Sequence, residues 1–290
     1  MADPLPTCYL NGDYLPLTEA RISPLDRGFL YADGVYELMP VYGGRGFRFP
    51  AHAERLTRSL AGIRMADPHT REEWRAILAG LTERNGGGDM YVYWQVTRGA
   101  QYGRTHAPLP DIPRTVFAFC APLPVTPAEA LERGVACVTA SDSRWARCDI
   151  KSTSLLANVL LRQLSVDAAA AETILLRDGA LTEASASAVH VVRSGELRMP
   201  PHSQRILPGT TRGVVEELAE RIALRCRAVA VSEAELRAAD EVWISAATRE
   251  VQPVTSLDGR PVGDGRPGRN WRRLYEELQR YKRELAGTPW

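Results

Sequence analysis

Only two of the 36 basic side chains in this 290-residue sequence are lysines, Lys151 and Lys282. Arginine cannot give up its proton to become a nucleophile. A lysine amine can, once burial lowers its pKa, and it then forms a Schiff base with a carbonyl. In a chain that uses Arg for its solvated cations, each retained Lys needs a reason. Lys282 lies among Arg280, Arg283 and Glu284 and reads as a surface residue of a terminal helix. Lys151, in Arg147-Cys148-Asp149-Ile150-Lys151-Ser152, stands between a strand and a helix and is the candidate nucleophile. Two other segments hold what a Schiff-base cofactor requires. Leu181-Thr182-Glu183-Ala184-Ser185 offers an acid. Leu207-Pro208-Gly209-Thr210-Thr211-Arg212 offers an anion cradle, with a glycine for close approach, two hydroxyls and the amides of a starting helix. Each is ordinary alone, since Pro-Gly-Thr-Thr is also a plain helix start. An amine, an acid and a cradle in this order suit pyridoxal 5′-phosphate, which presents an aldehyde, a ring nitrogen and a phosphate.

The elements that must position these residues follow from pattern. Cys8 to Leu17 reads as a hairpin turning at Asn11-Gly12, and Gly34 to Tyr42 as a strand that turns back through Gly43 to Phe47. Ala51 to Ile63 and Thr70 to Arg84 carry apolar residues at helical spacing, and Met90 to Thr97 and Arg114 to Cys120 read as strands. After the proline-rich run Ala121 to Pro127 come a strand over Val135 to Ser141 and a helix over Leu155 to Ala171. Strands near Thr173 to Leu176 and Val189 to Val192 follow, then a helix from Gly209 to Leu224, a strand over Glu241 to Ser245 and a terminal helix over Asn270 to Leu285. Ser232-Glu233-Ala234-Glu235 fits a capping box. Strands and helices without regular alternation argue for two α+β lobes. Because proline cannot continue a strand ladder, the boundary is placed at 121–126, between a domain at 1–120 and one at 127–290.

Composition excludes several classes. Charge balances at +1, so there is no basic excess for nucleic acid or a membrane surface. No apolar run reaches the ~18 residues of a membrane span, and Met1 to Leu10 does not read as a signal peptide. The five cysteines are odd in number and form no C-x-x-C pair, so neither a disulfide framework nor a zinc or other metal site is expected. They suit a reducing cytoplasm. Gly263-Asp264-Gly265-Arg266-Pro267-Gly268 matches the dinucleotide pattern but follows a hairpin turn and contains a proline, so it reads as a turn. Arg266, Arg269, Arg272 and Arg273 read as a solvated helix face.

Several further segments carry a resemblance. They are Asp26-Arg27-Gly28, Asp33-Gly34-Val35-Tyr36-Glu37, His52-Ala53-Glu54-Arg55-Leu56, Gln95-Val96-Thr97-Arg98-Gly99 and, above all, Arg144-Trp145-Ala146-Arg147-Cys148-Asp149-Ile150-Lys151-Ser152. On these the sequence resembles the fold-type IV, pyridoxal-phosphate-dependent aminotransferases over nearly its whole length, and within them the D-amino-acid transaminases most. The resemblance implies a homodimer of two-domain α+β chains, with a small N-terminal α/β sandwich domain and a larger C-terminal domain built on a pseudo-barrel sheet. It implies that Lys151 holds the cofactor as a Schiff base and shuttles the substrate proton, and that Glu183 pairs with the ring nitrogen. It implies cofactor contacts from Arg55, Thr210, Thr211, Ser187 and Leu207, although spacing alone would leave Arg55 a helix-surface residue. Tyr36 would line the substrate pocket. Arg104-Thr105-His106, otherwise a solvated loop, would take the substrate carboxylate, because a guanidinium matches it with two parallel hydrogen bonds.

The implied reaction moves an amino group from a D-amino acid to a 2-oxo acid, ping-pong, through pyridoxamine phosphate. A branched-chain or (R)-amine transaminase and aminodeoxychorismate lyase are the alternatives within the fold, and a cofactor-binding protein without turnover is the alternative outside it. Ala188, His190, Met199 and Ala246-Ala247 depart from the family's usual residues, the last pair by removing two hydroxyls that often touch the phosphate.

Overall fold

A computed structural model describes residues 3–285. The chain divides into two compact units. One holds the described residues up to Pro124, together with Ile150–Leu155 and the end of the last helix; the other holds Val125–Asp149 and Leu156–Arg283.

The first unit contains β1 (Thr7–Leu10), β2 (Asp13–Pro16), α1 (Arg27–Tyr31), β3 (Gly34–Tyr42), β4 (Arg45–Gly46), α2 (Phe49–Gly62), α3 (Arg71–Arg84), β5 (Met90–Thr97) and β6 (Thr115–Pro122). Its antiparallel sheet has the order β2-β1-β6-β5-β3-β4. Alternation along β3, β5 and β6 sends Val35, Met39, Val92, Trp94, Val96, Val116 and Ala118 to one face. That face packs with Leu56 and Leu60 of α2 and Trp74, Leu78 and Leu81 of α3 as one core. The Thr70 capping box starts α3. β6 runs on to Pro122, which pairs with Met90 at the strand's last position, so the strand takes in the first two residues of the proline-rich run.

The segment bearing Lys151 belongs to this unit. Tyr36 N donates to Lys151 O at 3.0 Å, Thr153 N donates to Gly34 O at 3.0 Å, and Val35 bridges Ser152. Residues 151–153 therefore add a short antiparallel stretch to the edge of β3, which β4 leaves open there because it pairs only with Val41 and Tyr42.

The second unit contains α4 (Ala128–Glu132), β7 (Val135–Ser141), α5 (Leu156–Asp167), β8 (Glu172–Arg177), β9 (Ala180–Ala184), β10 (Ala188–Arg193), β11 (Glu196–Met199), α6 (Thr210–Arg221), β12 (Arg225–Ala228), α7 (Glu233–Arg237), β13 (Glu241–Ala246), β14 (Glu250–Leu257), β15 (Arg260–Pro261) and α8 (Arg269–Leu285). The order is β12-β11-β10-β13-β14-β7-β8-β9, with β15 beside β14. β9 returns against β10, where Ala184 N donates to Ser187 O, so the sheet curls into the pseudo-barrel. Cys137, Ile174, Leu181, Val189, Val191, Val242, Ile244 and Val254 form its core. β14 is a strand that pattern missed because Pro253 interrupts it. Its pairing with β7 begins only at Val254, so the amide that Pro253 lacks is not needed on that side. The glycines at 263, 265 and 268 lie between β15 and α8, as a turn. Lys282 is no freely solvated cation: its side chain is 18% exposed and pairs with Glu250. Among the described residues no helix is long and apolar enough to cross a membrane, and no His, Cys, Asp or Glu group could hold a metal.

Candidate active site

In the first unit, Lys151 is tied down by its backbone and free at its amine. Its N donates to Ser59 Oγ of α2 at 3.1 Å and its O accepts from Tyr36. Its Nζ lies 4.2 Å from the centre of the Tyr36 ring and forms no ion pair or hydrogen bond among the described residues. Tyr36 in turn stacks on Tyr93, with ring centres 5.4 Å apart.

Arg55, one helical turn before Ser59, is buried instead of solvated. Its Nε donates to Glu37 Oε1 at 2.7 Å and its Nη2 to Oε2 at 2.8 Å, and His52 Nδ1 bonds Oε2 at 2.8 Å. Glu37 is fully buried. Burial pushes its carboxyl up, but the Arg55 charge and the Arg55 and His52 hydrogen bonds win and hold it at about 2. Burial depresses His52 below the usual imidazole value, so its ring is neutral and Nδ1 is the donor to Glu37. Arg104 and His106 sit on an exposed loop after β5, both beside the Tyr31 ring, with the Arg104 guanidinium 5.0 Å and the His106 ring 5.7 Å from its centre.

In the second unit, Glu183 lies on β9, 7% exposed. Oε1 accepts from Arg144 Nη1 and Oε2 from the Leu207 amide at 3.1 Å. Asp142 holds Arg144 through its amide at 3.1 Å, its Nε at 2.9 Å and its Nη2 at 2.9 Å, and also accepts from Thr182 Oγ1 at 2.9 Å. Against burial, these hydrogen bonds and the Arg144 charge keep Asp142 at about 2. For Glu183 burial outweighs Arg144, and its pKa is raised. Ser187 donates to the buried Glu172 at 2.9 Å and Ser185 donates to its other oxygen, so Glu172 clamps the turn that follows Glu183. Thr210 and Thr211 open α6, whose N-cap Gly209 supplies no side-chain cap, leaving its first amides for an external acceptor. His190 is packed and hydrogen-bonded, 2.7 Å from Ser245 Oγ. The two hydroxyls absent at Ala246 and Ala247 are absent from the end of β13 and the turn after it.

Each unit therefore brings together its own share of the expected residues: Lys151, Tyr36 and Arg55 around β3 and α2, with Arg104 and His106 on their loop; Glu183 and Leu207 in direct contact, with Ser187, Thr210 and Thr211 nearby in sequence. The acids and cations that hold these groups, Glu37, His52, Asp142, Arg144 and Glu172, were not singled out from sequence. For Glu37, His52 and Arg144 the available signal was the number of acidic and basic residues in the matching segments, because a buried charge demands a partner; Asp142 and Glu172 lie outside those segments.

The family model described as amino-transferase class IV matches residues 34–257. The D-alanine aminotransferase of Bacillus licheniformis is 38% identical over 274 residues, covering 93% of this chain and 94% of that protein. The D-alanine aminotransferase of Staphylococcus aureus (strain MSSA476) is 36% identical over 273 residues, covering 94% and 96%. Among solved structures, the branched-chain amino acid aminotransferase of Escherichia coli superposes with TM-score 0.88 at 25% identity, covering 95% of this chain and 93% of that one. A T.th. branched-chain amino acid aminotransferase with pyridoxamine 5′-phosphate gives 0.89 at 27% identity, covering 95% and 93%.

Proposed function

The chain belongs to the class IV aminotransferases, and from that premise we propose that it transfers the amino group of a D-amino acid to a 2-oxo acid, using pyridoxal 5′-phosphate. The observation that carries the reading is Lys151, whose backbone is fixed to β3 and α2 while its amine is left without a carboxylate partner among the described residues. The residues fit the cofactor on three further counts. Glu183 is a buried acid with both oxygens oriented, α6 presents uncapped amides, and Arg55 is a buried cation.

When bound, the cofactor supplies an aldehyde for condensation with an amine and a ring that withdraws electrons from the carbon losing its proton. Lys151 Nζ holds the cofactor and then moves the proton at the substrate Cα. Glu183 takes the ring nitrogen, and Arg144 with the Leu207 amide keeps that carboxyl from rotating away. Arg55, Thr210, Thr211 and the α6 amides bind the phosphate, Ser187 and Leu207 border the ring, and Arg104 and His106 receive the substrate carboxylate beside Tyr36. The D-alanine aminotransferases among the relatives support a D-amino acid as donor. The branched-chain enzymes among the structural neighbours make L-leucine the control substrate.

A homodimer is supported by α5, which exposes Leu156, Val159, Leu160 and Leu164 as an apolar stripe at helical spacing, a face that water does not favour. Five unpaired cysteines, four of them buried, support work in a reducing cytoplasm. The test is an absorbance spectrum of the purified protein. A band near the visible edge should disappear with D-alanine, return with a 2-oxo acid and be absent from Lys151→Ala. A colourless protein that binds no pyridoxal 5′-phosphate refutes the reading.

A further inference from the structure

The Arg104-Thr105-His106 loop has a built support that its sequence does not suggest. Every residue from Tyr102 to Pro110 is exposed, yet the loop backbone is gripped from below by Arg27 of α1, a residue only 3% exposed. Arg27 Nη1 donates to Thr105 O at 2.7 Å and Nη2 to His106 O at 2.9 Å, while Nε donates to Asp33 Oδ2 at 2.8 Å. Asp33 is itself anchored by Arg98, whose Nε and Nη2 reach its two oxygens at 2.8 and 3.0 Å. The Arg27 guanidinium lies 4.6 Å from the centre of the Tyr31 ring, the same ring that carries Arg104 at 5.0 Å.

Nor is α1 free to shift. Asp26 Oδ1 accepts from the Gly28 amide and Thr97 Oγ1, both at 2.7 Å, and Asp26 Oδ2 accepts from Thr115 Oγ1 at 2.6 Å. A Cβ on Gly28 would collide with the Thr97 side chain, so α1 lies hard against that side chain of β5.

We propose that Arg27 is the positioning residue for substrate recognition: by holding two successive carbonyls of the loop while Asp33 holds its third nitrogen, it sets the angle at which Arg104 and His106 meet the substrate carboxylate. The chemistry requires arginine. One planar fork must serve two carbonyls, one carboxylate and one aromatic face together, and a lysine ammonium at the same place is a point donor that cannot. Arg27 would touch no substrate atom itself. The proposal rests on the reading that Arg104 and His106 bind that carboxylate.

The experiment is a cycle of four holoenzymes, wild type, Arg27→Lys, Arg104→Ala and the double variant, assayed with D-alanine and 2-oxoglutarate, with hydrogen exchange followed over residues 101–111. Arg27→Lys should raise KM for D-alanine by about 10- to 100-fold with kcat changed less than about threefold, the scale expected when a binding group is misplaced by about 1 Å. In the Arg104→Ala background Arg27→Lys should cost clearly less than it does in the wild type, because only His106 is then left for Arg27 to position. Exchange over 101–111 should quicken in Arg27→Lys and stay unchanged in β3 and β5. Additive effects, a fall in kcat at constant KM, or unchanged exchange overturns the proposal. If Arg104→Ala keeps the wild-type KM, the carboxylate reading itself fails. If Arg104→Ala is impaired and Arg27→Lys is not, only the role of Arg27 does. Asp33→Asn, which loosens Arg27 without removing it, should move KM in the same direction by less.

Discussion

Arg55→Met isolates the buried ion pair in the core of the first unit. The variant keeps the aliphatic length of the side chain but removes the cation that faces Glu37, which is 0% exposed. Burial alone drives the Glu37 carboxyl upward, and Arg55 is the main opposing influence; together with His52 it brings the group from 4.5 to about 2. At ~1.4 kcal/mol per pH unit that depression corresponds to about 3 kcal/mol, and breaking a buried ion pair from one side costs about 3–5 kcal/mol. The two routes agree, so Arg55→Met should destabilise the cofactor-free protein by about 3–4 kcal/mol at pH 7.

The pH dependence has a definite sign. In the wild type the folded-state value lies below the unfolded one, so the contribution of Glu37 is complete above about pH 4.5 and is lost as pH falls towards 2. In the variant, Glu37 avoids an uncompensated charge by taking up a proton, which becomes cheaper in acid. The deficit should therefore be smaller at pH 4 than at pH 7. Urea unfolding followed through Trp74 and Trp94, both buried in the same core, measures it. The double variant Glu37→Gln/Arg55→Met, which leaves no orphaned charge, should recover more than half the loss. A deficit of ~1 kcal/mol or less, or a double variant no better than the single, refutes the reasoning.

Three further perturbations have definite expected outcomes. Burial, reinforced by the neighbouring Arg212 charge, depresses His190 to about 3, so stability should fall as pH drops from 6.5 towards 3. His190→Phe should flatten that limb in melting curves taken across pH 8 to 4, and an unchanged slope would show that His190 is not the group responsible. Gly99 has φ +97, and a Cβ there would collide with the Pro113 carbonyl oxygen. Gly99→Ala should therefore cost about 2–3 kcal/mol in chemical denaturation, whereas a loss within error would mean the turn can open freely. Glu183→Gln should retain the fold but lower kcat for D-alanine about 100-fold or more, with a shifted cofactor absorbance. Full activity in that variant would remove Glu183 from the chemistry.

Much of the local structure was legible in the residues themselves. The β5 and β7 spans follow from apolar alternation, and the box at Ser232 announces the start of α7, because capping and periodicity act within a few residues. Composition put both lysines in question, and the acid at Glu183 with the cradle at Gly209 to Thr211 turned that question to Lys151. What sequence could not supply was any relation between residues far apart in the chain. That residues 151–153 join the edge of β3 depends on a pairing across more than a hundred positions, and β14 escaped notice because Pro253 is harmless only where β7 happens not to face it. Arg55 looked like a surface residue of an amphipathic helix until the fold placed Glu37 under it, and Lys282 looked like a solvated cation until Glu250 met it. The residue types thus determined which chemistry was available: an amine, an acid and a helix start able to face an anion. Tertiary structure alone decided which charges lost their water. A buried charge must find a partner at hydrogen-bond distance, and that distance is a property of the packed chain.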